Sequence, residues 1–209
     1  MKKTFAVILL FFLGLPPIIS QDKITQIKSI EIAYQLIDYG NQESSPTALL
    51  NAAEMLIQNQ FKKLSDSEND KKFNGNDFIL EIINKAEKLA PNDDLVCLWA
   101  AQLKDFLENQ NYRGVLDTVK YDCNEINKKS TVSYKNLQFS TNEKAEVFIH
   151  IINNTNLILT VSPTDSEEYN LTKIINGMSA TWTPEKDKTY TISITNNSNM
   201  PAYYELFLN

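Results

Sequence analysis

Histidine, arginine and glycine are scarce in this chain of 209 residues. His150 is the only histidine, Arg113 the only arginine, and there are five glycines. A lone histidine excludes a multi-histidine metal centre. HExxH, GxSxG, the phosphate-binding GxxxxGK[ST] loop and GxGxxG are all missing, and the familiar metalloprotease, hydrolase and nucleotide chemistries lose their signatures with them. The two cysteines, Cys97 and Cys123, lie in no CxxC pair, which argues against a structural zinc site. They leave two alternatives. An exported chain can hold a disulfide; equally, Cys97 in the apolar stretch LVCLWAAQL suits a free thiol in a helical core.

Only one long apolar run is present, at the N-terminus. MKKTFAVILLFFLGLPPIISQDK joins two lysines to an apolar segment from Phe5 to Leu15, broken by Pro16 and Pro17, with the small Ser20 at a cleavage point. This is the pattern of a secretory signal peptide, 1–20. The run is shorter than the roughly 20 residues of a membrane span, and no cysteine follows it to carry a lipid. The expectation is an exported chain, periplasmic or secreted, without membrane insertion once the signal is removed.

Acidic residues outnumber basic ones, 26 against 20, for a net charge of −6. Loss of Lys2 and Lys3 takes this to −8. Such a balance disfavours nucleic acid as a partner.

The first half has helical periodicity. Ile24, Ile27, Ile30, Tyr34 and Ile37 recur at three or four residues, with Gly40 as the stop. Ser45 and Pro46 open a second helix, whose stripe is Leu49, Leu50, Ala53, Leu56 and Ile57. SDSENDKKFNGN is a polar loop. A third helix places Phe78, Ile79, Ile82, Ile83 and Ala86 on one face and closes at Pro91. A fourth starts at the acids Asp93 and Asp94, with a stripe of Leu95, Trp99, Leu103, Phe106 and Leu107. Four such helices pair as stacked hairpins. KAEKLAPND resembles the end of a tetratricopeptide-type repeat, without a regular period of about 34 residues.

From Thr131 the period changes to two. VSYKNLQFS, KAEVFIHIIN, LILTVSP, MSATWTP, KTYTISITN and AYYELFLN are short, β-branched or aromatic, and separated by turn residues. Tyr190, Ile192 and Ile194 alternate with Thr191, Ser193 and Thr195, as on a sheet with one buried face. The expected fold class is α+β: N-terminal helical hairpins, repeat-like, followed by a C-terminal antiparallel β-sandwich. The expected organisation is helical 21–110, connector 111–130 and sandwich 131–209.

The ending SATWTPEKDKTYTISITNNSNMPAYYELFLN resembles the end of bacterial pre-peptidase C-terminal-like domains, small β-sandwiches of exported proteins. The resemblance covers 178–209 well and 131–209 loosely. AYQLIDYGNQESSPTALLNAAEML and KAEKLAPND are similar to a set of uncharacterised exported bacterial proteins that join helices to such a sandwich. Many members with this sandwich carry an aspartate run like GDTDLDLYVYDENG. Here the matching stretch is TNEKAEVFIHIINNTN, which keeps Glu143 and Glu146 but not the aspartates. The departure implies no calcium site.

No catalytic, cofactor-binding or metal-binding residue is assigned. Asp165, Glu167 and Glu168 crowd one turn rather than face each other across a cleft of roughly 5–9.5 Å as glycosidase carboxylates do. His150 sits in an alternating strand without a nucleophile motif. The candidates for ligand or partner binding are aromatic: Trp182, Tyr203 and Phe207. In AYYELFL, Tyr204, Leu206 and Leu208 share one face, and Tyr203, Glu205 and Phe207 the other. The second face either binds a ligand or covers the helices. The expected function is a non-enzymatic interaction or scaffold protein of the bacterial envelope with a protein partner. The alternative is an extracellular carbohydrate- or ligand-binding module using the sandwich aromatics.

Overall fold

The computed structural model describes residues 25–64, 75–109, 118–141, 143–153, 156–164, 171–173 and 178–209. The expected signal peptide 1–20, most of the polar loop and the acids Asp165, Glu167 and Glu168 lie outside the described residues. Helix α1 runs Gln26–Gln42, capped by the Thr25 hydroxyl, which accepts from Lys28 N at 3.2 Å. Ser45 and Pro46 open α2, Pro46–Ile57, as their chemistry predicts. Helix α3 spans Gly75–Leu89, and α4, Asp94–Glu108, is capped by the Asp93 carboxylate on Leu95 N and Val96 N. The fold class is α+β: four helices in the N-terminal half, then strands in two sheets, among the described residues.

Gly40 does not stop α1. It lies inside the helix, where a Cβ would meet Leu49 Cδ2 and Cγ at 2.8 Å. Its missing side chain lets α2 close onto α1. The helix ends two residues later, and Ser44 takes the turn at φ 53°.

One strand falls where the sequence suggested none, and another lies largely in YRGVLDTVKYDCNE, a stretch whose residues suit helix, strand or connector alike. Strand β1, Gln60–Lys63, follows α2 and pairs in parallel with β2, Thr118–Ile126. β2 occupies the second half of the expected connector 111–130 and is a member of the sandwich, so the sheet begins before residue 131. β3 is Ser130–Leu137, β4 Ala145–Ile151, β5 Leu157–Pro163, β6 Leu171–Lys173, β7 Met178–Trp182, β8 Tyr190–Asn196 and β9 Ala202–Leu208. The first sheet has the order β1-β2-β9-β4-β7, the second β3-β8-β5-β6.

The molecule is a stack of three layers. Ile126, Val147, Ile149, Tyr204, Leu206 and Leu208 face Leu159, Ile192 and Ile194 across the two sheets. On its other side the first sheet presents Val119, Tyr121, Phe148 and Phe207 to the helices, in one cluster with Ile30, Tyr34, Leu56 and Ile83. The core face assigned to β9 from alternation is therefore the observed one: Tyr204, Leu206 and Leu208 are fully buried. On the outer sheet, paired hydroxyls of Thr131 with Thr195 and Ser133 with Ser193, both at 2.9 Å, form the polar face of β8.

A carboxylate enters the sandwich core. Asp122 is 1% exposed and accepts a 2.5 Å bond from the Tyr134 hydroxyl, itself 2.8 Å from that of Tyr204. Burial and the neighbouring Tyr204 raise the Tyr134 phenol far above the ordinary range, so it stays a donor.

Candidate functional site

Three rows of side chains cross the helix-facing side of the first sheet. Tyr121, Phe207 and Phe148 are register neighbours on β2, β9 and β4 and lie under the helices. The next row is Cys123, Glu205 and His150. The third is Glu125 and Tyr203, beside Ile152, whose N–H donates to Tyr203 O. Burial falls along this order, since Tyr203 is 44% and Ile152 59% exposed while Phe207 is 1%.

The middle row holds the polar cluster nearest to a chemical site. His150 Nδ1 is 3.0 Å from Glu205 Oε2, and its Nε2 is 3.9 Å from Asp38 Oδ1 of α1. Cys123 Sγ lies 3.9 Å from Glu205 Oε1. The Tyr34 ring covers His150 at a centroid distance of 4.4 Å and reaches Phe207 at 5.5 Å. Burial first, then the charge of Glu205, pushes the Tyr34 phenol well above the ordinary tyrosine range. The hydroxyl is near enough to Glu205 to feel that charge, yet it meets no acceptor at hydrogen-bonding geometry among the described residues.

Glu205 stands between the thiol and the imidazole in the register. What the arrangement does is satisfy a buried carboxylate and tie α1 to β4 and β9. Among the described residues no group of three or more His, Cys, Asp or Glu side chains has metal-binding geometry. Cys97 and Cys123 form no disulfide.

A second feature lies on α4, the last helix of the stack. Its buried residues are Val96, Ala100 and Leu103, with Trp99 and Leu107 half-buried. Leu95 is 78%, Leu98 58% and Phe106 54% exposed. At about 3.6 residues per turn Leu95, Leu98, Gln102 and Phe106 form one outward strip. Asp94, Asp105 and Glu108 form a second, acidic strip beside it, and all three are exposed. Lys104 points away from both strips, toward Glu87 on α3, at 2.5 Å.

A cleft of about 410 Å³ opens at the other end of the sheet, between the start of α1 and the ends of β2 and β4. Glu143 and Glu146 line it together with Lys120 and Lys144, so its charges are mixed.

No protein-family model and no curated protein matches the chain. Some solved structures are similar over part of the chain. A mitogen derived from Yersinia pseudotuberculosis is similar at 15% identity and a TM-score of 0.37, over 45% of this chain and 86% of that one. The pre-peptidase C-terminal domain of a collagenase from Bacillus anthracis is similar at 10% identity and a TM-score of 0.30, over 40% and 91%. RmlC from Streptococcus suis shows 10% identity and a TM-score of 0.31, over 44% and 43%.

The three aromatic candidates do not form a row. Phe207 is sealed between the first sheet and the helices. Trp182, on β7, is half-buried on the opposite, inter-sheet face, against Phe139 at 4.8 Å and Tyr190 at 5.7 Å. Tyr203 alone is open, and its phenol is raised by the adjacent Glu125 carboxylate. Leu95 and Phe106, members of the expected core stripe of α4, lie on its exposed strip instead. The spacing Leu95, Leu98, Gln102, Phe106 carried the signal, since it forms a strip distinct from Val96, Ala100, Leu103.

Proposed function

We propose that the chain is a non-enzymatic interaction or scaffold protein of the bacterial envelope, exported by its N-terminal signal, and that it meets a protein partner through the outer face of α4. The observation that carries this reading is the exposed strip of Leu95, Leu98 and Phe106 on one helix. An exposed apolar strip held on a folded chain is the kind of surface that docks a partner. The sheet and α1–α3 hold that face in place. A photo-crosslinking residue in place of Leu98, expressed in the native host, tests it. The expected result is a discrete crosslinked protein that is absent when the same residue replaces Thr131 on the outer sheet. Equal labelling from both positions would contradict it.

One observation favours a second reading, a carbohydrate- or ligand-binding module. The open Tyr203 ring lies beside the carboxylate of Glu125, and an aromatic face with a hydrogen-bonding group next to it suits a sugar. On this reading Tyr203→Ala abolishes retention on a glycan array, whereas Leu98→Ala does not.

A further inference from the structure

The outer face of α4 has a charge pattern as well as an apolar one, and the two together narrow the partner. Resting on the reading that this face docks a protein, we infer that the docked element is a helix apolar on one strip and rich in lysine or arginine beside it, which adds to the stack as a fifth helix.

Each helix of the stack is covered by the next. α2 packs on α1, α3 on α2, and α4 on both α3 and α2. After α4 the described chain turns to strands. The outward strip of α4 thus stands where another helix would continue the series, and ridges of Leu95, Leu98 and Phe106 offer the grooves such packing uses. Trp99, half-buried at the edge of the strip, makes it continuous with the helical core.

The charges exclude a second copy as the occupant. A two-fold antiparallel pairing of α4 about its middle would set Asp94 of one copy near Glu108 of the other. A parallel pairing would set Asp94 on Asp94 and Asp105 on Asp105. Either way like charges meet beside the apolar seam, and both chains carry a net charge of −6. Among the described residues no exposed lysine on α4 offsets the acids, because Lys104 is engaged by Glu87. A basic helix instead pairs each acid with a cation while burying the same apolar strip.

The test uses the full chain and two labelled peptides of 15 residues, the length of α4. One is an amphipathic leucine–lysine helix, the other a leucine–glutamate helix of the same pattern. Fluorescence anisotropy is expected to show saturable binding of the leucine–lysine peptide only, weakened by salt. Leu98→Ala with Phe106→Ala should weaken it by about tenfold or more. Asp94→Lys, Asp105→Lys and Glu108→Lys together should reverse the preference toward the leucine–glutamate peptide. All five positions are exposed, and circular dichroism would verify that the variants fold. Leucine–lysine binding unchanged by the apolar pair of substitutions, or an unreversed preference in the lysine variant, overturns the inference. So does a concentration-dependent dimer, lost in Leu98→Ala, in sedimentation of the wild-type chain. If the peptides fail while crosslinking from Leu98 persists, the docking face stands and the basic helix falls. If crosslinking from Leu98 is absent, the docking reading itself falls.

Discussion

Tyr34 holds the position where the polar and apolar rows of the sheet meet. Its ring seals both His150 and Phe207, while its buried hydroxyl, beside the Glu205 carboxylate, meets no acceptor at good hydrogen-bonding geometry among the described residues. An unmade bond of this kind costs about 1–3 kcal/mol. Tyr34→Phe should therefore melt at the same temperature as wild type or higher at pH 7. A loss of more than about 1 kcal/mol would mean that the hydroxyl bonds Glu205 after all. The phenol also sets a pH dependence. Its folded pKa is raised above the unfolded value of about 10. Its contribution is complete below about pH 10 and is lost as pH rises beyond, because only the unfolded chain releases the proton there. Melting curves between pH 9 and 11 should fall less steeply for Tyr34→Phe than for wild type. Parallel curves would contradict the raised phenol. Sequence pattern alone gave little access to this cluster. Tyr34, His150 and Glu205 come from α1, β4 and β9, and only the register of the sheet places them together.

Among the elements, the readings that succeeded rested on a clear period or a cap. β8 and β9 alternate, α1 and α2 carry caps and stripes, and the structure has them where period and capping chemistry put them. The misses have physical causes. β2 alternates only over Val119, Tyr121 and Cys123, and the buried Asp122 on its opposite face hides the second packed side. β1 has four residues, too few for any period. α4 has apolar residues around most of its circumference, and the strip that faces outward competes with the one that packs. Gly40 differs from the expected stop because a glycine near a helix end has two uses, a stop and a close approach. Gly40→Ala separates them. Alanine is the better helix former by roughly 1 kcal/mol, yet its Cβ would stand 2.8 Å from Leu49. Overpacking costs about 1–3 kcal/mol, so denaturant unfolding should show a net loss of stability. A gain would mean that α2 moves aside freely.

At the scale of the molecule, the helical and β parts share a core. Sequence patterning divided them by their periods and drew a connector between; the structure joins them twice. β1, from the helical half, extends the first sheet. Phe148 and Phe207, from the sandwich, belong to the same buried cluster as the helices. The first sheet is thus a middle layer, and α4 is held at a fixed distance from the sandwich rather than tethered to it. That rigidity suits the docking role proposed for the α4 strip, because a pre-organised surface loses less entropy on binding. The most direct measurement is differential scanning calorimetry of the full chain and of Phe207→Ala. The account predicts one transition in each, with equal calorimetric and van't Hoff enthalpies, shifted down in the variant by a loss of about 3–5 kcal/mol. Two transitions, only one of which moves in Phe207→Ala, would contradict it.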